Sequence, residues 1–340
     1  MRQLAAVFLI GIILFLATTK VTSLPQSSER LVVVIDSYHD PVLSNFTIAI
    51  ESLNESLGGC VDMYYNNDTL NSSTLSGVSI FIVPPFNKTF TDSEQEIIRK
   101  YVSRGGILVL MALDYDSDRG FNANPVLFND LLSAIPLKSH PRLNYTIGGI
   151  GLRCIDPLSN DSFLHINSSQ HFTQALKTEY LHDKKYNLIV EPTVITVEVE
   201  DINDIPAIVP PAWAYCISGN GAVIYFESGA TIFILERYGQ GYVVVCGFAI
   251  SLSDVENPLY GRPWIELGDN KEFWTDLLMS LIKLPEEANN VINPFYIAVL
   301  LGGLGIIFIA VAVIISRREK PVKKKEISIS EVLRKMRKKK

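Results

Sequence analysis

An apolar run near the C-terminus constrains the fold of this chain more than any other feature. Residues 295–315 carry no charged side chain, and as a helix rising about 1.5 Å per residue they would extend roughly 30 Å, the thickness of a bilayer's hydrocarbon core. Residues 316–340 follow with twelve basic and three acidic residues. Dense positive charge marks the cytoplasmic flank of a span. The sequence therefore predicts a transmembrane helix over residues 294–316 and a basic cytoplasmic tail over residues 317–340.

The N-terminus carries a second apolar segment. Arg2 precedes an apolar run over residues 4–17, and a more polar stretch reaches residue 23. This pattern is typical of a secretory signal peptide, predicted over residues 1–23, with an uncleaved signal anchor as the alternative. Together the two segments predict a single-pass type I membrane protein. Its ectodomain, residues 30–285, would lie in the endoplasmic-reticulum lumen or on an archaeal cell surface.

Glycosylation sequons support an extracytoplasmic ectodomain. All eight N-x-S/T sequons lie before residue 170, and none falls in the predicted tail. Such sequons are acceptor sites for N-linked glycans in exported proteins. The predicted glycosylation sites are Asn45, Asn54, Asn67, Asn71, Asn87, Asn144, Asn160 and Asn167.

Charge restricts the partners of the two parts of the chain. Between the N-terminal segment and the tail, residues 24–315 hold 16 basic and 33 acidic residues. Nucleic acid is excluded as a partner of this part, because phosphate binding needs concentrated positive charge. The basic tail is expected to contact anionic lipid, or to be read as a retention signal.

Four cysteines, Cys60, Cys154, Cys216 and Cys246, all fall within residues 30–285. Four cysteines allow three disulfide pairings, and the spacing does not choose among them. The absence of a C-x-x-C pair excludes a zinc ribbon and a thioredoxin-like site. No metal site and no cofactor are predicted.

Hydrophobic periodicity predicts an α/β fold in the first half of the ectodomain. Short β-branched runs, apolar on both faces, are typical of buried parallel strands. The predicted strands are residues 31–35, 60–65, 78–83 and 107–113, with helices over residues 45–57 and from Thr91 to about residue 104. This alternation indicates a doubly wound, mostly parallel sheet.

The second half is richer in predicted strands. They cover residues 188–190, 194–199, 222–226, 230–235 and 242–248, and a turn at residues 238–241 precedes the last of them. An amphipathic helix is predicted over residues 273–283. A short polar linker, residues 286–293, would then lead to the membrane.

Three segments carry a family resemblance. They are the strand and turn at residues 34–39, the helix and strand over residues 90–110, and the turn and strand at residues 238–247 with the helix that follows. In this order they resemble the non-catalytic branch of the class I glutamine-amidotransferase-like family. With its predicted topology the chain looks most like the type I membrane form in that family, the amidotransferase-like subunit of eukaryotic oligosaccharyltransferase. The resemblance implies an accessory role beside integral membrane partner subunits.

Catalysis is not expected. Catalytic members of the family place a nucleophile on the turn after a central strand, whereas here residues 107–113 run into Asp114 with no Cys, Ser or Thr in such a setting. No catalytic residue is therefore predicted.

Acidic residues and one histidine form a candidate ligand site. Asp36 and His39 follow the first strand, and an acidic loop follows the strand of residues 107–113. Because open α/β sheets bind ligands at the carboxyl ends of their strands, these groups are candidate ligand-binding residues. The candidates are Asp36, His39, Asp114, Asp116 and Asp118. A solvated loop and a structural hydrogen bond are the competing interpretations.

These patterns lead to one functional hypothesis and two alternatives. The hypothesis is a membrane-anchored scaffold subunit of an oligosaccharyltransferase-like complex for protein N-glycosylation. The first alternative is an auxiliary ectodomain protein of an ABC-type transporter. The second is a hydrolase that uses Asp36, His39 and Asp114.

Overall fold

The structure is a computed structural model. It describes residues 30–113, 124–143, 153–155, 163–190, 197–199, 202, 205–209, 215–217, 223–225 and 230–290. By its internal contacts the chain divides into Met1–Pro285 and Glu286–Lys340.

The regular elements alternate along the first half of the chain and become mostly β in the second. The described strands are β1 (Leu31–Asp36), β2 (Val61–Asn66), β3 (Ile80–Val83), β4 (Ile107–Met111), β5 (Arg142–Leu143), β6 (Arg153–Ile155), β7 (Leu164–Asn167), β8 (Asn187–Val190), β9 (Val197–Glu198), β10 (Ala207–Ile208), β11 (Tyr215–Ile217), β12 (Val223–Tyr225), β13 (Ala230–Thr231), β14 (Phe233–Tyr238), β15 (Gly241–Cys246), β16 (Glu256–Asn257) and β17 (Arg262–Pro263). The longer helices are α1 (Thr47–Ser56), α2 (Asp92–Ser103), α3 (Pro125–Ser133) and α4 (Asn270–Asn290).

A seven-stranded sheet forms the centre of the domain, in the order β10-β14-β15-β4-β3-β1-β2. The five strands from β15 to β2 are mutually parallel. At one edge β14 pairs antiparallel with β15, and β10 pairs antiparallel with β14. The predicted mostly parallel α/β sheet is therefore confirmed. Smaller sheets of two or three strands hold the remaining described strands.

Two hydrophobic cores cover the two faces of this sheet. Because side chains alternate along a strand, Val33 and Ile35 of β1 join one core and Val34 joins the other. Helices α1 and α4 supply the first core, and α2 and α3 supply the second. The fold thus has helices on both faces of the sheet, as a doubly wound fold requires.

Several predicted boundaries differ from the structure, most of them by one or two residues, and two differ more. The strand predicted over residues 230–235 is two strands, β13 and β14, and the second continues to Tyr238. The helix predicted over residues 273–283 begins at Asn270 and continues to Asn290, through residues assigned to the linker. Glu286, Glu287 and Ala288 are strong helix formers, and the helix continues through Pro285 although proline lacks a backbone donor.

In the described part of the chain, no helix combines the length and apolarity needed to cross a membrane. The predicted signal peptide, the predicted span over residues 294–316 and the basic tail lie outside the described residues.

The turn between β14 and β15 packs against the end of α2. Gly239 has φ +63°, and a Cβ built on it would lie 2.6 Å from the carbonyl oxygen of Ser103. A Cβ on Gly241 would lie 2.2 Å from the carbonyl oxygen of Gly106. Both distances are too short for real atoms, so this close approach requires glycine at both positions.

Candidate functional site

The candidate site lies where the strand order changes direction. The chain places β2 on one side of β1 and β3 on the other, so the loops after β1 and β3 leave the sheet at neighbouring points. Such a switch point at the carboxyl ends of the strands is where open α/β folds bind ligands. Asp36 and His39 lie there, as the sequence predicted.

Asp36 ends β1 and is fully buried. Its Oδ2 accepts a hydrogen bond from the backbone amide of His39 at 3.2 Å and lies 2.9 Å from the His39 Nδ1. Its Oδ1 accepts a hydrogen bond at 3.2 Å from the side-chain amide of Asn66, the residue paired with it across β2. Both carboxylate oxygens of Asp36 are therefore engaged within the domain.

The imidazole of His39 is fully buried as well. It stacks on the ring of Phe90, with ring centroids 3.6 Å apart and planes 18° apart. Its Nε2 lies 3.3 Å from Glu94 Oε1, which is ion-pair distance, although the angles are not those of a hydrogen bond. The ring thus stands between two carboxylates, Asp36 at Nδ1 and Glu94 at Nε2.

Glu94 comes from the first turn of α2. Its Oε2 accepts hydrogen bonds from the amide and the hydroxyl of Thr91, at 2.9 and 2.7 Å, and completes a capping box. Its Oε1 accepts a hydrogen bond from the Leu70 amide at 3.1 Å. Burial alone would raise the pKa of Glu94, but the hydrogen bonds from Thr91 and Leu70 hold that pKa below its usual range.

The loops after β1 and β3, which meet at the switch point, are joined by backbone hydrogen bonds. The Val42 amide donates to the Pro85 carbonyl at 2.8 Å, and the Lys88 amide donates to the His39 carbonyl at 3.0 Å. Pro41 and Phe86 form a β-bridge between the same loops. Asp36 and His39 are 0% exposed and Glu94 is 1% exposed. In this structure the carboxylates and the imidazole are buried from solvent.

The arrangement of these groups indicates a structural role. A general acid or base must reach the proton that it transfers, whereas the polar atoms of Asp36 and Glu94 are engaged with the protein itself. Within the described ranges, no group of three His, Cys, Asp or Glu side chains is arranged to hold a metal ion.

Sequence reasoning placed Asp36 and His39 together but missed the contributions of Asn66, Phe90 and Glu94. The pattern Thr91-x-x-Glu94 signals a capping box and so predicts a helix start. Nothing local in the sequence shows that the same carboxylate reaches His39. The candidates Asp114, Asp116 and Asp118 lie outside the described residues.

Six of the eight sequon asparagines lie in the described part of the chain. Asn45, Asn67, Asn71 and Asn167 are exposed, and Asn54 and Asn87 are half-buried. The other two, Asn144 and Asn160, lie outside the described residues. None of the six is buried, so each position is compatible with the predicted modification.

A cleft of about 690 Å³ opens at the opposite, amino-terminal edge of the sheet. Leu31, Ser79 and Ile107, at or next to the starts of three parallel strands, line its floor. Lys100 and Arg104 from the end of α2 lie at its rim and are exposed. This edge therefore has an open recess, whereas the switch point is closed.

Comparisons with known proteins give structural likenesses only. No protein-family model matches the chain, and no curated protein matches it in sequence. Among solved structures, the mmIFT52 N-terminal domain is similar with a TM-score of 0.47 and 16% identity, over 75% of this chain and 97% of that one. A cytoplasmic protein from Salmonella typhimurium LT2 is similar with a TM-score of 0.42 and 10% identity, over 74% and 98% of the two chains. A ThuA-like protein from Bacteroides uniformis has a TM-score of 0.40 and 11% identity, over 76% and 91%.

Proposed function

We propose that this chain is a non-catalytic, membrane-anchored binding or scaffold subunit of a membrane complex, with an amidotransferase-like ectodomain. One observation carries the proposal. The switch point, where this class of fold binds ligands, is filled by His39 and Phe90 and closed by Asp36 and Glu94.

Closure of the switch point leaves other surfaces for binding. The positions of two sequons reinforce this view. Asn67 directly follows Asn66 of the buried cluster, and the Asn87 amide donates to the carbonyl oxygens of His39 and Asp40. Glycans at Asn67 and Asn87 would cover the carboxyl edge of the sheet. Under the proposal, partners bind at the amino-terminal edge, where the cleft is open.

The proposed complex is an oligosaccharyltransferase-like assembly for protein N-glycosylation. Support comes from the sequence: the predicted signal peptide, the predicted span at residues 294–316 and the basic tail resemble the membrane form of the amidotransferase-like family. Under the proposal, the tail contacts anionic lipid. Association with an ABC-type transporter is the second candidate, since auxiliary transporter proteins share the same predicted domain.

The test is affinity purification of the full chain from native membranes in mild detergent, through a tag at the C-terminus. We expect a multi-span glycosyltransferase subunit to co-purify with the chain. Recovery of an ATPase with a permease would instead indicate a role in transport. A chain recovered alone would contradict the scaffold role.

Two charge-reversal variants locate the contact. Lys100→Glu combined with Arg104→Glu alters the rim of the amino-edge cleft, and Lys88→Glu alters an exposed position at the carboxyl edge. We expect at least a several-fold loss of partner recovery for the first variant and little change for the second. The reverse result would contradict the assignment of the binding edge.

A third variant addresses the hydrolase alternative. Asp114→Ala removes the carboxylate that this alternative requires. Partner recovery should be unchanged in the variant if the chain acts as a scaffold. A hydrolytic activity of the purified complex that disappears in Asp114→Ala would contradict the non-catalytic assignment.

A further inference from the structure

The structure places two of the four cysteines directly opposite each other. Strands β6 and β11 are antiparallel neighbours in a three-stranded sheet, and their register pairs Cys154 with Cys216. The sequence alone left three pairings open. We propose that Cys154 and Cys216 form a cross-strand disulfide that closes this sheet covalently.

The register gives a separation that suits this bond. Directly opposed residues of an antiparallel pair have Cα atoms about 4.5 to 5.5 Å apart and lie on the same face of the sheet. Disulfide-bonded cysteines have Cα atoms about 4.4 to 6.8 Å apart. The backbone therefore meets the distance condition without rearrangement of either strand.

The other two cysteines have different surroundings. Cys246 is buried in β15 of the central sheet, where its register partners on the two sides are Phe233 and Met111. Cys60 is exposed, just before β2, and makes no disulfide. Neither residue has a cysteine opposite it, so the β6–β11 register selects one pairing of the three.

Formation of the bond needs an oxidant, which is a protein disulfide of the thiol-oxidase class. One cysteine thiolate attacks that disulfide to give a mixed disulfide, and the second thiolate then attacks the mixed disulfide and releases the oxidase. The two cysteines lose two protons and two electrons in total, and the disulfide of the oxidase becomes a dithiol. Such bonds persist in oxidising compartments, so their presence in cells rests on the proposed extracytoplasmic location.

Peptide mapping of the full chain tests the pairing. Protein is purified from membranes with thiols blocked at lysis, deglycosylated, digested without reductant and analysed by mass spectrometry. We expect a linked peptide pair that contains Cys154 and Cys216, with Cys60 recovered alkylated. A link from either residue to Cys60 or Cys246 would overturn the proposal.

A second measurement separates the bond from the location. Reduced protein is oxidised in a glutathione redox buffer and mapped in the same way. If Cys154 and Cys216 are thiols in cells but pair selectively in the buffer, the pairing is supported and the proposed location fails. If they stay unlinked in both preparations, the pairing is wrong.

Variants provide an independent readout. Cys154→Ser, Cys216→Ser and the double variant should each lower Tm by a similar amount, about 10 °C, because any of them removes the same bond. The matched control, Cys60→Ser, should leave Tm unchanged. Additive decreases for the two single variants would show that the residues act independently, and would contradict the bond.

Discussion

His39 Nε2 lies 3.3 Å from Glu94 Oε1, so the loop after β1 is held electrostatically against the first turn of α2. On its other side, the same ring lies 2.9 Å from Asp36 through Nδ1. One buried imidazole thus links β1 to the helix that follows β3.

Removal of the ring should destabilise the domain strongly. His39→Ala removes a fully buried ring that stacks on Phe90 and leaves Asp36 Oδ2 without its side-chain partner. The resulting cavity and the lost contact together cost about 3–5 kcal/mol. The free energy of unfolding from urea denaturation measures this loss. The control is His182→Asn: His182 is exposed and has φ +49°, which asparagine accommodates, so we expect a change below about 0.5 kcal/mol. Equal effects of the two variants would refute the proposed role of the cluster.

Stability should depend on the ionisation of Glu94. The folded state holds the pKa of Glu94 below its usual value of 4.5, so the unfolded chain binds this proton more readily. The resulting stability is present above pH 4.5 and is lost as pH falls through the lower folded pKa. Glu94→Gln lacks this contribution, so the stability difference between wild type and variant should shrink on acidification. Urea denaturation across this pH range tests it, and a difference independent of pH would contradict the mechanism.

Helix α1 should depend on a distant carboxylate. Phe46 at its N-cap offers no side-chain hydrogen bond, and Asp254 accepts instead from the amides of Thr47 and Ile48, at 2.9 and 3.1 Å. Asp254→Ala should cost about 1–2 kcal/mol, as loss of a cap does. Thermal unfolding compares it with Asp130→Ala, an exposed position in α3 where little change is expected. A Tm for Asp254→Ala equal to that of the control would show that the contact does not stabilise the helix.

A methyl group at Gly241, after the β14–β15 turn, should destabilise the domain. In Gly241→Ala, the new Cβ would lie 2.2 Å from one backbone oxygen and 2.4 Å from another, so the backbone must move, at a cost of about 3 kcal/mol. Gly58→Ala is the matched comparison, because Gly58 has φ +69° but no atom within 4 Å of the new Cβ. We expect about 1–2 kcal/mol there. Chemical denaturation ranks the two, and the opposite order would contradict the close packing.

Glycan occupancy should follow exposure. Asn67 and Asn71 are exposed, whereas Asn54 is half-buried within α1. Glycopeptide mass spectrometry of the native protein should therefore find higher occupancy at Asn67 and Asn71 than at Asn54. Absence of glycans at all the exposed sequons would argue against the proposed location.

The sequence alone predicted the strands and helices up to β4 closely, but it did not predict α3 or short strands such as β5 and β10. Buried strands such as β1 and β15 are apolar on both faces, and α2 begins with Thr91 and Glu94 in a recognisable capping box. These signals are local, because a strand's pattern and a helix cap depend on residues a few positions apart. Asp36 and His39 lie only three positions apart, so their proximity could also be predicted from local sequence.

The tertiary structure decided which distant groups meet. Glu94 reaches His39, Asp254 caps α1, and Cys154 lies opposite Cys216 only because the strand order and register bring them together. That order follows from the packing of two hydrophobic cores over the whole domain. It is a sum of many long-range contacts, and no short stretch of sequence carries it. Local sequence thus determined many of the elements, and packing determined that Asp36 and His39, expected to face a ligand, are buried.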